Sequence, residues 1–85
     1  MPDIIASEKF KNTFKNMTKS DQKRVWHALL KLQDDPGYNS LRTKKIKALA
    51  GVFESSASDK IRILWKWQDG KILLLLVGGH EIVEY

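Results

Sequence analysis

The chain has no cysteine, which excludes disulfides and thiolate-bound zinc. With His27 and His80 as its two histidines, a metal centre is not expected, and nothing in the sequence requires a cofactor. Long apolar runs are also scarce. The longest, ILLLLV at residues 72–77, falls far short of the roughly 20 residues that cross a bilayer, so no membrane partner is expected. The N-terminal MPDIIASEKF has neither a basic start nor a continuous apolar stretch; no secretory leader is expected and a cytoplasmic location fits.

Eighty-five residues support one modest core, hence a single domain over residues 1–85. A hydrophobic fraction of 42% with three tryptophans and three phenylalanines fits a folded globule, and 29% charged residues fit a wet surface. Fifteen Lys plus Arg stand against ten Asp plus Glu, a net charge of +5. That balance favours an anionic partner, whether RNA, DNA, acidic lipid or an acidic protein segment, and does not choose among them.

Periodicity divides the chain into a helical half and a strand half. DIIA at residues 3–6 reads as a short edge strand, and Ser7 as the cap of a helix carrying Phe10, Phe14 and Met17 on one face. Thr18 with Asp21 resembles a capping box for a second helix. Its stripe is Val25, Leu29 and Leu32, flanked by Trp26 and Leu30, and Asp35-Pro36-Gly37 ends it. Residues 37–51 read as a loop with a basic cluster of Arg42, Lys44, Lys45 and Lys47.

Strands are expected at residues 52–57, 60–67, 71–77 and 82–84. In the second of these, Ile61, Ile63, Trp65 and Trp67 alternate with Lys60, Arg62, Leu64 and Lys66, which assigns the first set to the core. Asp69-Gly70 is a two-residue hairpin signal of type I′. Counting outward from it sets Arg62 opposite Val77, beside Gly78, Gly79 and His80. The run 72–77 is apolar on both parities, which implies a strand covered on both faces or a protein partner on one of them. The expected architecture is α+β, an N-terminal helical hairpin on a mainly antiparallel sheet of four or five strands, in the order β-α-α-β-β-β-β.

On these blocks the sequence resembles the RelE/ParE superfamily of toxin-antitoxin proteins. They are LQDDP closing the helical hairpin, the link LRTKKIKALAGVFE, the strand DKIRILW and the terminal LVGGHEIVEY. The resemblance implies the toxin of a type II toxin-antitoxin system, a metal-independent endoribonuclease that cuts mRNA in the ribosomal A site by 2′-hydroxyl attack on the adjacent phosphate. It implies Arg62 for phosphate charge, His80 as phosphate ligand or general acid, and Tyr85 as the C-terminal aromatic on the nucleotide. Chemistry of that kind needs a fixed cation and a proton donor for the leaving 5′-oxygen.

Arg42, Lys44, Lys45, Lys47, Lys60 and Lys66 are the candidate phosphate-backbone contacts. Glu54, Glu81 and Glu84 are candidate bases of lower standing, and His27 reads as structural. The implied partners are a cognate antitoxin and, through it, operator DNA. One departure from the resemblance stands out: residues 52–58 read VFESSAS, where the active mRNA-cutting members it resembles often carry lysines or arginines. Two alternatives accompany the reading, a non-catalytic antitoxin-binding or corepressor module and a gyrase inhibitor of the ParE kind.

Overall fold

The structure is a computed structural model that describes residues 2–83, the side chains of His80 and Val83 excepted. Its elements are β1 (Ile4–Ala6), α1 (Glu8–Lys15), α2 (Lys19–Asp34), a 3-10 turn (Asn39–Leu41), β2 (Lys44–Lys45), β3 (Val52–Ser56), β4 (Arg62–Gln68), β5 (Lys71–Gly78) and a final 3-10 turn (His80–Val83). The strands form one sheet in the order β1-β5-β4-β3-β2. β1 runs parallel to β5 and every other pair is antiparallel. None of the described helices is long and apolar enough to cross a membrane.

Local chemistry sets the helix ends. The Ser7 hydroxyl accepts from Phe10 N–H at 3.1 Å and the Thr18 hydroxyl from Asp21 N–H at 3.1 Å, each satisfying an otherwise orphan donor of a first turn. α2 stops at Asp34 because Asp35, the residue before Pro36, is extended at φ −159°. Beyond it the Tyr38 hydroxyl donates to Asp34 at 3.2 Å. That hydrogen bond and the carboxylate's charge push the phenol above its usual range.

Both helices bury their apolar stripes on the same side of the sheet. Phe10 from α1, and Val25, Ala28, Leu29 and Leu32 from α2, pack with Leu41 against Ile61, Ile63, Trp65, Ile72, Leu74 and Val77. Trp65, 1% exposed, stacks on Phe53 at 4.7 Å. Its indole N–H donates to the Ser55 hydroxyl at 2.9 Å, and Ser55 lies 2.6 Å from the Thr43 hydroxyl. A polar triplet is thus closed on itself within the core.

Several expectations need correction. Trp67 has the parity of the core but is 46% exposed, since it lies at the hairpin end and meets Trp65 edge-on at 5.4 Å. Residues 82–84 were expected to be a strand; Ile82 belongs instead to the 3-10 turn that follows Gly79, and Glu84 lies outside the described residues. The stretch at residues 37–51 is not wholly loop, because Lys44 and Lys45 pair with Glu54 and Phe53 as β2.

The hairpin turn is as expected, with Asp69 at φ 52° and Gly70 at φ 76°, the positive values a type I′ turn requires. The register beyond it is not. Trp65 pairs with Leu74 but Leu64 pairs with Leu76, so Leu75 is an unpaired bulge and Arg62 faces Gly78 rather than Val77. Ser7 holds this bulge: its N–H donates to the Leu74 carbonyl and its hydroxyl to the Leu75 carbonyl, each at 3.0 Å.

Replacing Ser55 by Ala strips the buried Trp65 N–H of its acceptor. A loss of about 1–3 kcal/mol in unfolding free energy is expected, read by urea denaturation with tryptophan fluorescence.

Candidate functional site

The sheet face away from the helices holds the groups with chemistry. By strand alternation it carries Val52 and Glu54 of β3, Arg62, Leu64 and Lys66 of β4, and Leu73 and Leu76 of β5. Among the described residues no α-helix lies here, yet Leu64 is 1% exposed and Glu54 6%. Part of the cover comes from the C-terminal turn. Ile82 folds back so closely over Gly78 that a β-carbon there would lie 2.8 Å from Ile82 Cγ2, a contact only glycine permits without a shift.

Arg62 and Glu54 form an ion pair, Nε to Oε2 at 3.3 Å, with side chains 16% and 8% exposed. The same guanidinium donates through Nη1 to the carbonyls of Ser58 at 2.8 Å and Ile61 at 3.3 Å. Arg62 is therefore oriented from two sides, by a carboxylate across the ladder and by the β3–β4 connection. Lys44 adds a second cation 4.0 Å from Glu54.

The structure divides the sequence candidates into groups. Arg62, Lys44 and Lys66 share the open face with Glu54. Lys45 is exposed on the alternate parity of β2, and Lys47 is exposed in the turn leading to β3. Arg42, left-handed at φ 48°, lies 4.0 Å from Asp59, an exposed pair of little energetic weight. Lys60 is exposed in the β3–β4 connection. His80 opens the final turn two residues beyond Gly78, the partner of Arg62, which brings its backbone to this sheet end while its side chain lies outside the description. Tyr85, with Glu84, also lies outside the described residues. Glu81 is exposed and its carboxylate accepts from Gly79 N–H at 3.2 Å, a local capping role.

Glu54, a candidate base of lower standing in the sequence, is the direct partner of Arg62. Its signal lay in the alternation VFESS, which sets a lone carboxylate on the parity of Val52, directly across from a strand carrying Arg62 and Lys66. On α2 no role is read from the sequence for Arg24 or Lys31, and His27 is taken as structural. Arg24, His27 and Lys31 are exposed along one side of the helix and line a polar cleft with Ser40. Among the described residues no group of three or more His, Cys, Asp or Glu could hold a metal ion.

No protein-family model matches the chain, and no curated protein matches it in sequence. Solved structures do match in shape. YafQ from E. coli strain BL21(DE3) superposes with a TM-score of 0.80 at 15% identity, over 98% of each chain. The YoeB/ParE toxin from Agrobacterium tumefaciens gives 0.76 at 8% identity, over 92% of this chain and 98% of its own. The archaeal RelE-RelB complex from Pyrococcus horikoshii OT3 gives 0.74 at 13% identity, over 92% and 93%. The class these likenesses define is a small α+β domain with two helices on one face of a mixed five-stranded sheet. The particular fold is the one shared by the YafQ, RelE and YoeB/ParE structures that superpose on it.

Glu54→Ala leaves Arg62 largely buried without its carboxylate, so a loss on the order of 3 kcal/mol is expected. Arg62→Ala in the same background is expected to recover part of it. Denaturation of the two single variants and the double variant gives the coupling energy.

Proposed function

We propose that the chain is the toxin of a type II toxin-antitoxin pair and acts in the cytoplasm as a metal-independent endoribonuclease on ribosome-bound mRNA. The observation that carries the reading is the Glu54–Arg62 pair, a carboxylate and a guanidinium 3.3 Å apart on the sheet face opposite α1 and α2, which Lys44 and Lys66 make basic. A phosphodiester on this face would meet a base able to take the 2′-hydroxyl proton and a cation able to hold the charge that builds on phosphorus. His80 follows the Gly78-Gly79 break at the same sheet end and is the candidate donor to the leaving 5′-oxygen, with Tyr85 as the candidate stacking aromatic. Lys44, Lys66 and the more distant Arg42, Lys45, Lys47 and Lys60 would contact backbone phosphates and set affinity rather than rate.

An antitoxin partner has support of its own. Trp26 and Leu30, one turn apart on α2, are 56% and 49% exposed. They border two apolar cavities of about 280 and 220 Å³ that also reach Ile4, Phe14 and Leu29. A monomer gains nothing from leaving such a groove wet, and a bound protein segment would cover it. The P. horikoshii relative of this fold is a complex of RelE with RelB.

One observation favours a second reading, the non-catalytic antitoxin-binding module. Arg62 Nη1 is already spent on the Ser58 and Ile61 carbonyls, which leaves less of the guanidinium for a substrate.

Induced expression in cells separates the two. Growth arrest with mRNA cleavage is expected, and Arg62→Ala and Glu54→Gln are each expected to lower cleavage on the order of a hundredfold. His80→Ala tests the proton donor in the same assay. Cleavage unchanged by all three substitutions removes the catalytic assignment. A stable protein that co-purifies with a partner, without toxicity or cleavage, establishes the binding module instead.

A further inference from the structure

Arg24, His27 and Lys31 occupy successive turns of α2 on the side that looks toward the 3-10 turn at Asn39–Leu41 and the end of β3. Together with Ser40 they line a cleft of about 220 Å³ whose apolar floor is Ala28 and Leu41, 5% and 1% exposed. The Lys31 ammonium already reaches across it, donating to the Ser40 hydroxyl at 3.3 Å. Ser56 and Ala57, where β3 ends, close the far side.

Among the described residues the charge of the cleft has one sign, because none of those that line it is a carboxylate. The adjoining depression, about 530 Å³, differs in this respect: Asp21 and Asp59 oppose Arg24 and Lys60 there, so it is internally balanced. An anion has reason to enter the first and not the second. The volume also constrains the ligand, since drug-sized molecules occupy clefts of about 300–1,000 Å³. A single phosphate group with its water suits the smaller cleft, held by guanidinium, ammonium and hydroxyl donors.

The position of the cleft selects the source of that phosphate. Ser56 is the ladder partner of Arg62, and neighbouring strands place such partners about 5 Å apart at Cα. The β3–β4 connection that begins at Ala57 supplies the Ser58 carbonyl that holds the Arg62 guanidinium. The cleft and the Glu54–Arg62 pair therefore meet at one sheet end, from the helix side and the open side respectively. A chain of phosphates passing that end can engage both; a lone anion gains nothing from the arrangement.

We infer that this cleft is a docking site for a backbone phosphate of RNA, separate from the Glu54–Arg62 pair and flanking it. The inference rests on the nucleic-acid reading above. Asp21 restrains the site, because its carboxylate takes the Arg24 guanidinium at 3.3 Å and offsets part of its charge.

The test is fluorescence anisotropy of a short 2′-O-methyl oligouridylate, which cannot be cut by 2′-hydroxyl attack, titrated with the whole protein over a series of salt concentrations. Lys31→Ala and Arg24→Ala are each expected to weaken binding several-fold and to flatten the salt slope by about 0.7, the contribution of one phosphate contact on a single strand. Asp21→Asn is expected to strengthen binding. Lys9→Ala and Lys71→Ala, exposed cations away from the cleft, serve as controls, and thermal denaturation of each variant confirms that it is folded. Equal losses from the controls, or no loss from Lys31→Ala and Arg24→Ala, overturn the site. Cleavage of an all-ribose RNA is scored in parallel. Binding through the cleft without cleavage defeats the endoribonuclease reading and leaves the cleft standing, whereas cleavage with binding indifferent to Arg24 and Lys31 does the reverse.

Discussion

The extra residue in β5 decides where everything on the open face lies. Up to Leu74 the even-numbered residues Ile72 and Leu74 point into the core. After Leu75 is looped out, Val77 takes that role and Leu76 turns to the other face. A slip of one residue exchanges the faces of a strand, so the bulge keeps both halves of β5 in register with β4 while moving Gly78 opposite Arg62. Ser7 maintains it by using one residue three ways: as helix cap, as amide donor to Leu74 and as hydroxyl donor to Leu75. A single serine thus ties the start of α1 to the geometry of the sheet end that carries the candidate chemistry.

On that face the ion pair and the proposed chemistry fall on the same two residues. Glu54 and Arg62 are too buried to be left apart, and a buried pair of this kind is seldom favourable over a well-packed apolar one. A carboxylate placed on the parity of Val52 and beside Leu64 is the residue on which the proposed chemistry depends. The Ser58 and Ile61 carbonyls that fix Arg62 hold the guanidinium in one orientation and occupy part of its donor capacity.

Much of the fold was legible because its signals are local. Ser7, Thr18 and Pro36 bound the helices by hydrogen bonds and steric limits that reach no further than four residues, and Asp69-Gly70 dictates its turn by backbone angles alone. The bulge was not legible, since ILLLLV is apolar on both parities and conceals which residue is surplus. What looked like a strand covered on both faces is in part a strand that changes faces midway. β2 was also hidden: two lysines carry no strand pattern, and they pair only because β3 offers its edge. Of the candidate site, Arg62 was readable from the alternation of its own strand. Its partner Glu54 was not, because the pairing runs between strands, and the α2 cations become a group only once the 3-10 turn and the end of β3 close over them.

The N-terminal strand carries a consequence for how the molecule assembles. The hairpin of β4 and β5 closes across two residues, and β3 joins it across a short connection. β1 by contrast reaches β5 over a span of 68 positions, with three residues of pairing to offset the loop entropy. The pairing of β1, with the Ser7 anchor behind it, therefore carries the largest loop-closure cost in the sheet. The segment that fixes the bulge through Ser7 is thus also the one joined to the sheet at the greatest distance along the chain, so the geometry of the sheet end where Arg62 resides depends on its longest-range pairing.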